Sequence, residues 1–245
     1  MTGSQLSMVA LYGAKPSTLV RFISYTRQES LYYSDHFVFQ PYPVAQVHAT
    51  IIGMERLPFD EELINQNIFN TKKTKEVMQF SKLKSVLRKF LPMEIQIGGF
   101  GENDTSFLSN EKKPFERTLF FDPNTRKLVL IGWPHADGDF SERRLWKLRS
   151  GLEEQCNIGH KYPDDNDFYM VLGDLKAAGE ATDEIFRFIH HMQNYLSENP
   201  LFLGVRMDSL SIAVYNSTRL DADSSVIHPL KPLLSSHDAI ADLYH

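Results

Sequence analysis

The sequence predicts an α+β fold with largely antiparallel sheet, and three observations carry that expectation. Apolar runs alternating every second residue are interleaved with segments whose apolar residues recur every three or four, so strands and helices mix along the chain. Neighbouring strands are joined by tight-turn chemistry, best seen in Asp122-Pro123-Asn124 between two apolar runs, which makes a hairpin. No Gly-rich loop follows a strand, so the dinucleotide and P-loop architectures are not expected.

Taken in order, Ser7–Tyr12 is a short apolar strand ended by Gly13 and Pro16, and Leu19–Tyr25 fits either a strand or a short helix. The stretch QVHATIIGM, Gln46 to Met54, is a strand because Val47, Ala49 and Ile51 alternate with His48, Thr50 and Ile52. A short helix is expected over Asp60–Ile68, then a longer one over Lys72–Phe90. In the latter Val77, Phe80, Leu83, Leu87 and Phe90 make an apolar face opposite a lysine-rich one, until Pro92 stops it. That basic face suits either solvent or an RNA backbone. Met93–Ile97, Arg117–Phe121 and Arg126–Trp133 read as strands. Ser141 is placed to cap a helix reaching Cys156, with Leu145, Leu148 and Leu152 inward. An acidic loop with Asp164, Asp165 and Asp167, expected to be solvated, leads to a strand at Phe168–Leu175. A helix over Thr182–Leu196 and a long strand over Val205–Asn216 follow. The tail from Asp221 is Ser- and Pro-containing, with a short helix possible at His237–Tyr244.

Composition narrows the function classes. A chain of 245 residues, 42% hydrophobic, holds an ample core, and residues 1–245 are expected to form one domain with 221–245 as a C-terminal extension. The net charge of −5 argues against duplex DNA as a partner, which needs a broad basic surface, while leaving room for a short nucleotide or RNA in a local pocket. A single cysteine, Cys156, excludes an intramolecular disulfide, and the nine histidines show no metal spacing, so neither metal nor cofactor is expected. No signal-like or membrane-length apolar run occurs, which makes the expected location cytoplasmic.

The chemistry concentrates in His48 and Thr50. Two residues apart on one strand, they share a face, and a titratable imidazole beside a hydroxyl donor suits the gripping and proton transfer that a phosphate ester needs. The plainer alternative is a strand histidine with only a local bond. Tyr42 closes the aromatic segment YYSDHFVFQPYP just before this strand, where a ring can stack on a base or pack in a loop.

With those residues in view, the order of elements resembles the 2H phosphoesterases, the superfamily of RNA ligase-like and cyclic phosphodiesterase proteins. QVHATIIGM looks like the first of that family's two His-x-Thr/Ser strands, and MEIQIGGFG, RTLFFDPNTRKLVLIGW, LWKLRSGLEEQCNIG and VRMDSLSIAVYNSTRL resemble later blocks in the same order, from about Val44 to Leu220. The resemblance implies two pseudo-symmetric lobes of antiparallel sheet around a central cleft, with outer helices. It also implies a pair of histidines acting as base and acid, with two hydroxyls holding the phosphoryl oxygens. The sequence departs from that pattern at DFYMVLGDL, where Tyr169 stands at the second His position and Val171 at the second Thr position, in register with Leu172-Gly173. One positioned general acid or base is worth about 10²–10⁴-fold, so its loss weighs heavily.

Three readings remain open at this point. One is a degenerate member that binds a nucleotide, cyclic nucleotide or short RNA in the cleft with little or no two-histidine catalysis. The second is a divergent phosphodiesterase using His48, Thr50 and a substitute such as Tyr169, His160 or His135. The third is an unrelated α+β domain. Tyr42, Arg117, His135 and Val171 complete the residues expected to line the cleft.

Overall fold

The computed structural model describes residues 5–58, 62–177, 183–216, 220, 224–236 and 238–245. In chain order its principal elements are β1 (Gln5–Ala10), α1 (Ser17–Ser30), β2 (Phe37–Pro41), β3 (Ala49–Gly53), α2 (Gln66–Lys72) and α3 (Leu83–Phe90). Next come β4 (Met93–Ile97), α4 (Pro114–Thr118), β5 (Leu119–Asp122), β6 (Lys127–His135), α5 (Arg144–Cys156), β7 (Phe168–Ala177) and α6 (Asp183–Glu198). The chain ends with β8 (Leu201–Val205), β9 (Leu210–Tyr215), β10 (Ser225–Pro229) and α7 (Leu230–Leu233).

The fold is α+β, and every described strand pairing is antiparallel. The strand order β10-β9-β1-β3-β7-β6-β4-β8 places β3 and β7 at the centre, each the innermost strand of a run of four, with β2 added to β7 and β5 to β6. The two runs join through one short pairing, Ala49 with Met170. This is the two-lobed arrangement expected above.

A single large core forms where α1, α3, α5, α6 and α7 meet the sheet. Leu19, Phe22, Leu87, Leu148, Phe188 and Leu230 pack there with Met8, Ala49, Leu130, Met170 and Ile95. Two smaller clusters hold the other side chains of the same strands: Val129, Ile131 and Trp133 with Phe100 and Phe115 in one half, Val9, Ala213 and Tyr215 with Leu220 in the other. No helix among the described residues is long and apolar enough to cross a membrane.

Several sequence expectations are corrected by contacts that are distant in the chain. For Leu19–Tyr25, which fits either a strand or a helix, the helix holds: the segment lies within α1, whose buried Leu19, Phe22, Ile23 and Thr26 follow helical spacing. The helix expected from Asp60 begins at Gln66, where the Asn65 side chain accepts from Ile68 N at 3.1 Å; residues 59–61 lie outside the described set. Of the long helix expected over Lys72–Phe90 only its second half is helical, a 3-10 turn at Phe80–Lys82 running into α3, because Lys73 turns left-handed at the end of α2 and residues 77–79 pair elsewhere. Val77 bridges Ile64, Met78 N donates to Leu63 O and Gln79 N to Cys156 O. Arg117 belongs to the short helix α4, opened by Pro114 and by Glu116 accepting from Lys113 N, and not to a strand.

Ser141 does not cap α5. It is bonded to Asp139, and the first turn of the helix is held instead by Asn166, whose side chain accepts from Trp146 N at 3.0 Å. The strand expected over Val205–Asn216 is divided at Met207–Ser209: β8 pairs with β4 in one half, and β9 with β1 in the other. The tail is part of the fold, since β10 extends the sheet beside β9, and buried Tyr244 donates its hydroxyl to Met54 O at 2.5 Å. Thr182, Asp221 and His237, where the sequence marked boundaries, lie outside the described residues.

Candidate functional site

The two central strands are built alike. Around the Ala49–Met170 pair, antiparallel geometry sets His48 opposite Val171 and Thr50 opposite Tyr169, all four on one face because side chains alternate. Ala49 and Met170 are fully buried on the core side, whereas the four flanking residues are half-buried. Each strand then carries a bulge just past this trio. Against β1 the register skips Ile51, so that Met8 faces Ile52 and Val9 faces Thr50; against β6 it skips Leu172, so that Leu128 faces Gly173 and Val129 faces Val171.

A bulge strands a carbonyl that needs a donor from outside the ladder. Ile51 O receives Arg149 Nε at 2.8 Å, and Leu172 O receives Tyr42 N at 2.9 Å. The match between His48-Ala49-Thr50 and Tyr169-Met170-Val171 is thus a property of the backbone as well as of the sequence. Gly173 belongs to the same construction, because a Cβ there would sit 2.3 Å from Gln40 O where β2 pairs alongside β7.

The first half-site is chemically equipped. His48 Nδ1 lies 2.6 Å from Gln46 O, which fixes it as the donor and leaves Nε2 as the lone-pair acceptor. Burial lowers the His48 pKa, the Lys15 charge pushes the same way, and the Gln46 bond opposes both. Tyr12 packs its ring 5.5 Å from the imidazole. Lys15 Nζ donates to the carbonyls of Leu11, Gly13 and Ala45 at 2.8, 3.1 and 3.2 Å, and burial brings its pKa down to about 8. A neutral imidazole, a hydroxyl and a cation therefore gather at one end of β3.

The second half-site is not equipped in that way. Burial, with the Asp122 charge, drives the Tyr169 phenol up to about 12, so it is a donor at neutral pH and no base. Val171 offers only methyl groups. Arg117 stands beside Tyr169, close enough for its charge to lower the phenol, but it is engaged: NH2 bonds Asp167 Oδ2 at 2.6 Å and the guanidinium lies over Phe120 at 4.6 Å.

Tyr42 is not an open stacking surface. Its ring packs on the main core and its hydroxyl accepts from Lys127, which also pairs with Asp174. His135 is set apart from the trio. It lies four residues beyond Ile131, the partner of Tyr169, roughly 13 Å along the strand. Trp133 intervenes on the same face, and the imidazole packs against Phe140 and Phe202. His160 bonds Asp165 at 3.1 Å and joins a buried network in place of facing His48.

That network is what the sequence reading missed. Asp165 and Asp167 are not a solvated cluster: Asp167 is buried and accepts from Ser109, Trp133 and Arg117, each at 2.6 Å. Arg149, 3% exposed on α5, spans the two half-sites. It donates to Ile51 O and Thr50 O on β3, at 2.8 and 3.3 Å, and to Asp165 and Asp167 O ahead of β7. The signal was present in the sequence, since position 149 falls on the inward stripe of Leu145, Leu148 and Leu152, where a cation needs buried partners.

A pH dependence of stability follows from His48 and His160, both of whose pKa values are lowered first of all by burial. An unfolded histidine titrates near 6.5, so between that value and the lower folded values the unfolded chain binds more protons. The stabilisation is complete above 6.5 and is lost as the pH falls through the folded values. The urea midpoint should drop between pH 7.5 and pH 5, and the drop should shrink in a His48→Gln/His160→Gln double variant. Equal pH slopes for both proteins would rule these two groups out as the cause.

No family model matches the chain, and no curated protein matches it in sequence. Among solved structures it is similar to TT0787 of Thermus thermophilus, with 15% identity over 92% of this chain and 94% of that one, TM-score 0.43. It is similar also to ATU0111, a conserved protein of unknown function from Agrobacterium tumefaciens str. C58, with 12% identity over 93% and 86%, TM-score 0.44. A third is E. coli LigT complexed with phosphate, with 10% identity over 94% and 95%, TM-score 0.38. The site itself is defined by the two paired strands and not by these superpositions.

Proposed function

We propose that the chain is a divergent 2H phosphoesterase-like protein that binds a nucleotide, cyclic nucleotide or short RNA end between β3 and β7, with little or no two-histidine catalysis. The observation that supports this is the pairing of Ala49 with Met170 between matched bulges, which opposes an equipped His48-Thr50 to an unequipped Tyr169-Val171. Thr50 donates to a phosphoryl oxygen, Lys15 supplies positive charge, and His48 Nε2 accepts from a ribose hydroxyl. The same Nε2 lone pair favours the second reading, a slow phosphodiesterase in which His48 is the base and the protonated Tyr169 phenol the donor to the leaving oxygen.

The test pairs the wild-type chain with His48→Ala against 2′,3′-cyclic nucleotides, 2′–5′ oligoadenylates, cyclic dinucleotides and short RNAs, recording both binding heat and product. The expected result is saturable binding without turnover, weakened in His48→Ala and weakening in wild type as the pH rises through about 8, where Lys15 loses its charge. Turnover that disappears with His48 makes the protein a phosphodiesterase. Silence across the panel removes both readings.

A further inference from the structure

The sheet ends on β8, whose one strand neighbour among the described residues is β4. All of Leu201–Val205 pair with β4, and no other backbone bond to them occurs among the described residues. Because N–H and C=O groups alternate in direction along a strand, every second pair on β8 points away from the fold. The other free margins are guarded. Strand β10 carries Pro229, β2 carries Pro41, and the Leu119 carbonyl of β5 accepts from Gln193 of α6. The β8 sequence, LFLGV, has no proline, no charge and no bulge to blunt its edge.

We infer that β8 pairs antiparallel with β8 of a second copy of this chain, about a two-fold axis through Leu203, so that two sheets become one. An axis on a residue keeps core face beside core face, since opposed residues share a side. The axis through Leu203 is the one that opposes every residue of both strands: Leu201 to Val205, and Phe202 to Gly204. Those last two fit each other. Phe202 is 50% exposed, and a Cβ at Gly204 would meet no atom within 4 Å, so the ring of one copy covers the bare backbone of the other. An aromatic side chain opposite a glycine is a known way of supporting glycine in a strand. The same register carries Arg206 past Pro200 of the second copy toward its Glu198, at the end of α6. Both charges are exposed, and neither has an ion-pair partner among the described residues. A strand of other sequence satisfies the backbone groups but offers neither the ring for Gly204 nor the carboxylate for Arg206. Strands β6 and β4 stand between β8 and β7, so the pairing uses no residue of the His48 site and is independent of the proposed function.

The experiment is sedimentation equilibrium of the full chain. A reversible equilibrium is expected, with the mass approaching twice that of the chain as the concentration rises. Phe202→Lys should weaken the dimer by about tenfold or more, as loss of a central interface side chain does. Gly204→Val should weaken it as much without lowering the thermal midpoint of the dilute monomer, because valine suits a strand and the space beside position 204 is open until a second copy fills it. Arg206→Glu should weaken it too, and Glu198→Arg in the same chain should restore it. The register is read by mixing a Phe202→Cys chain with a Gly204→Cys chain, the native Cys156 being buried. Opposed Cα atoms lie about 4.5–5.5 Å apart, within disulfide reach, so oxidation should link the mixture far more than either chain alone. A mass that stays at one chain up to about 0.5 mM, which excludes a Kd below about 1 mM, overturns the inference. So does a dimer indifferent to Gly204→Val, or cross-linking no greater in the mixture than in either chain alone.

Discussion

Replacing Tyr169 by His and Val171 by Thr in one chain is expected to raise phosphodiester hydrolysis by about 10²–10⁴-fold, the worth of one positioned general acid or base. The backbone is already arranged for it. His48 is oriented by the carbonyl two residues before it, Gln46 O; the corresponding carbonyl for position 169 is Asp167 O, which accepts a long 3.3 Å bond from Arg149 NH2. Thr50 faces Val9 across its ladder as Val171 faces Val129, so a threonine at 171 meets equivalent neighbours and keeps the shape of valine. Initial rates on a 2′,3′-cyclic nucleotide, measured for wild type, each single variant and the pair, provide the check. Adding His48→Ala to the double variant should erase the gain. A folded double variant no faster than wild type would show that the two strands are alike in backbone only.

What the sequence could and could not disclose follows from the range of each interaction. The His48-Thr50 face was legible because alternation is local, and the register of Tyr169 and Val171 was legible from Leu172-Gly173 and the order of the strands; the structure supplies the reason for that glycine, since β2 pairs alongside and leaves no room for a Cβ. Other features depended on distant partners. The amphipathic pattern over Lys72–Phe90 does not reveal that Val77 and Met78 pair with Leu63 and Ile64, and that pairing prevails over helix propensity. The alternation over Val205–Asn216 is real, yet β8 and β9 serve opposite halves of the sheet, and alternation carries no information about which neighbour a strand takes. Asp165 and Asp167 looked solvated because their partners, Arg149 and Arg117, come from helices 16 and 50 residues upstream.

Arg149→Met is expected to destabilise the fold by about 3–5 kcal/mol, the range for removing one member of a buried, hydrogen-bonded ion pair. Methionine fills similar volume, so the loss reports the polar partners more than a cavity. The carbonyls of Thr50, Ile51, Asp165 and Asp167 lose this donor, and the Asp165 carboxylate is left with His160 and the Asp167 N–H. Burial raises the Asp165 pKa, and the His160 bond and the Arg149 charge at present outweigh it, holding the carboxyl below its usual value. Without Arg149 the carboxyl should rise, and stability should recover in part as Asp165 takes up a proton on acidification. Urea unfolding at pH 7.5 and pH 5 measures both effects. Adding Asp165→Asn to Arg149→Met should return part of the loss at pH 7.5, and Arg149→Lys should return less than wild type because an ammonium cannot span four carbonyls with the planar guanidinium's reach. The consequence for the site is direct: Arg149 ties the bulge of β3 to the strand end that enters β7, so the two half-sites keep their register only while it is in place. A loss under about 1 kcal/mol would place that burden elsewhere, on the Ala49–Met170 pairing and the core beneath it.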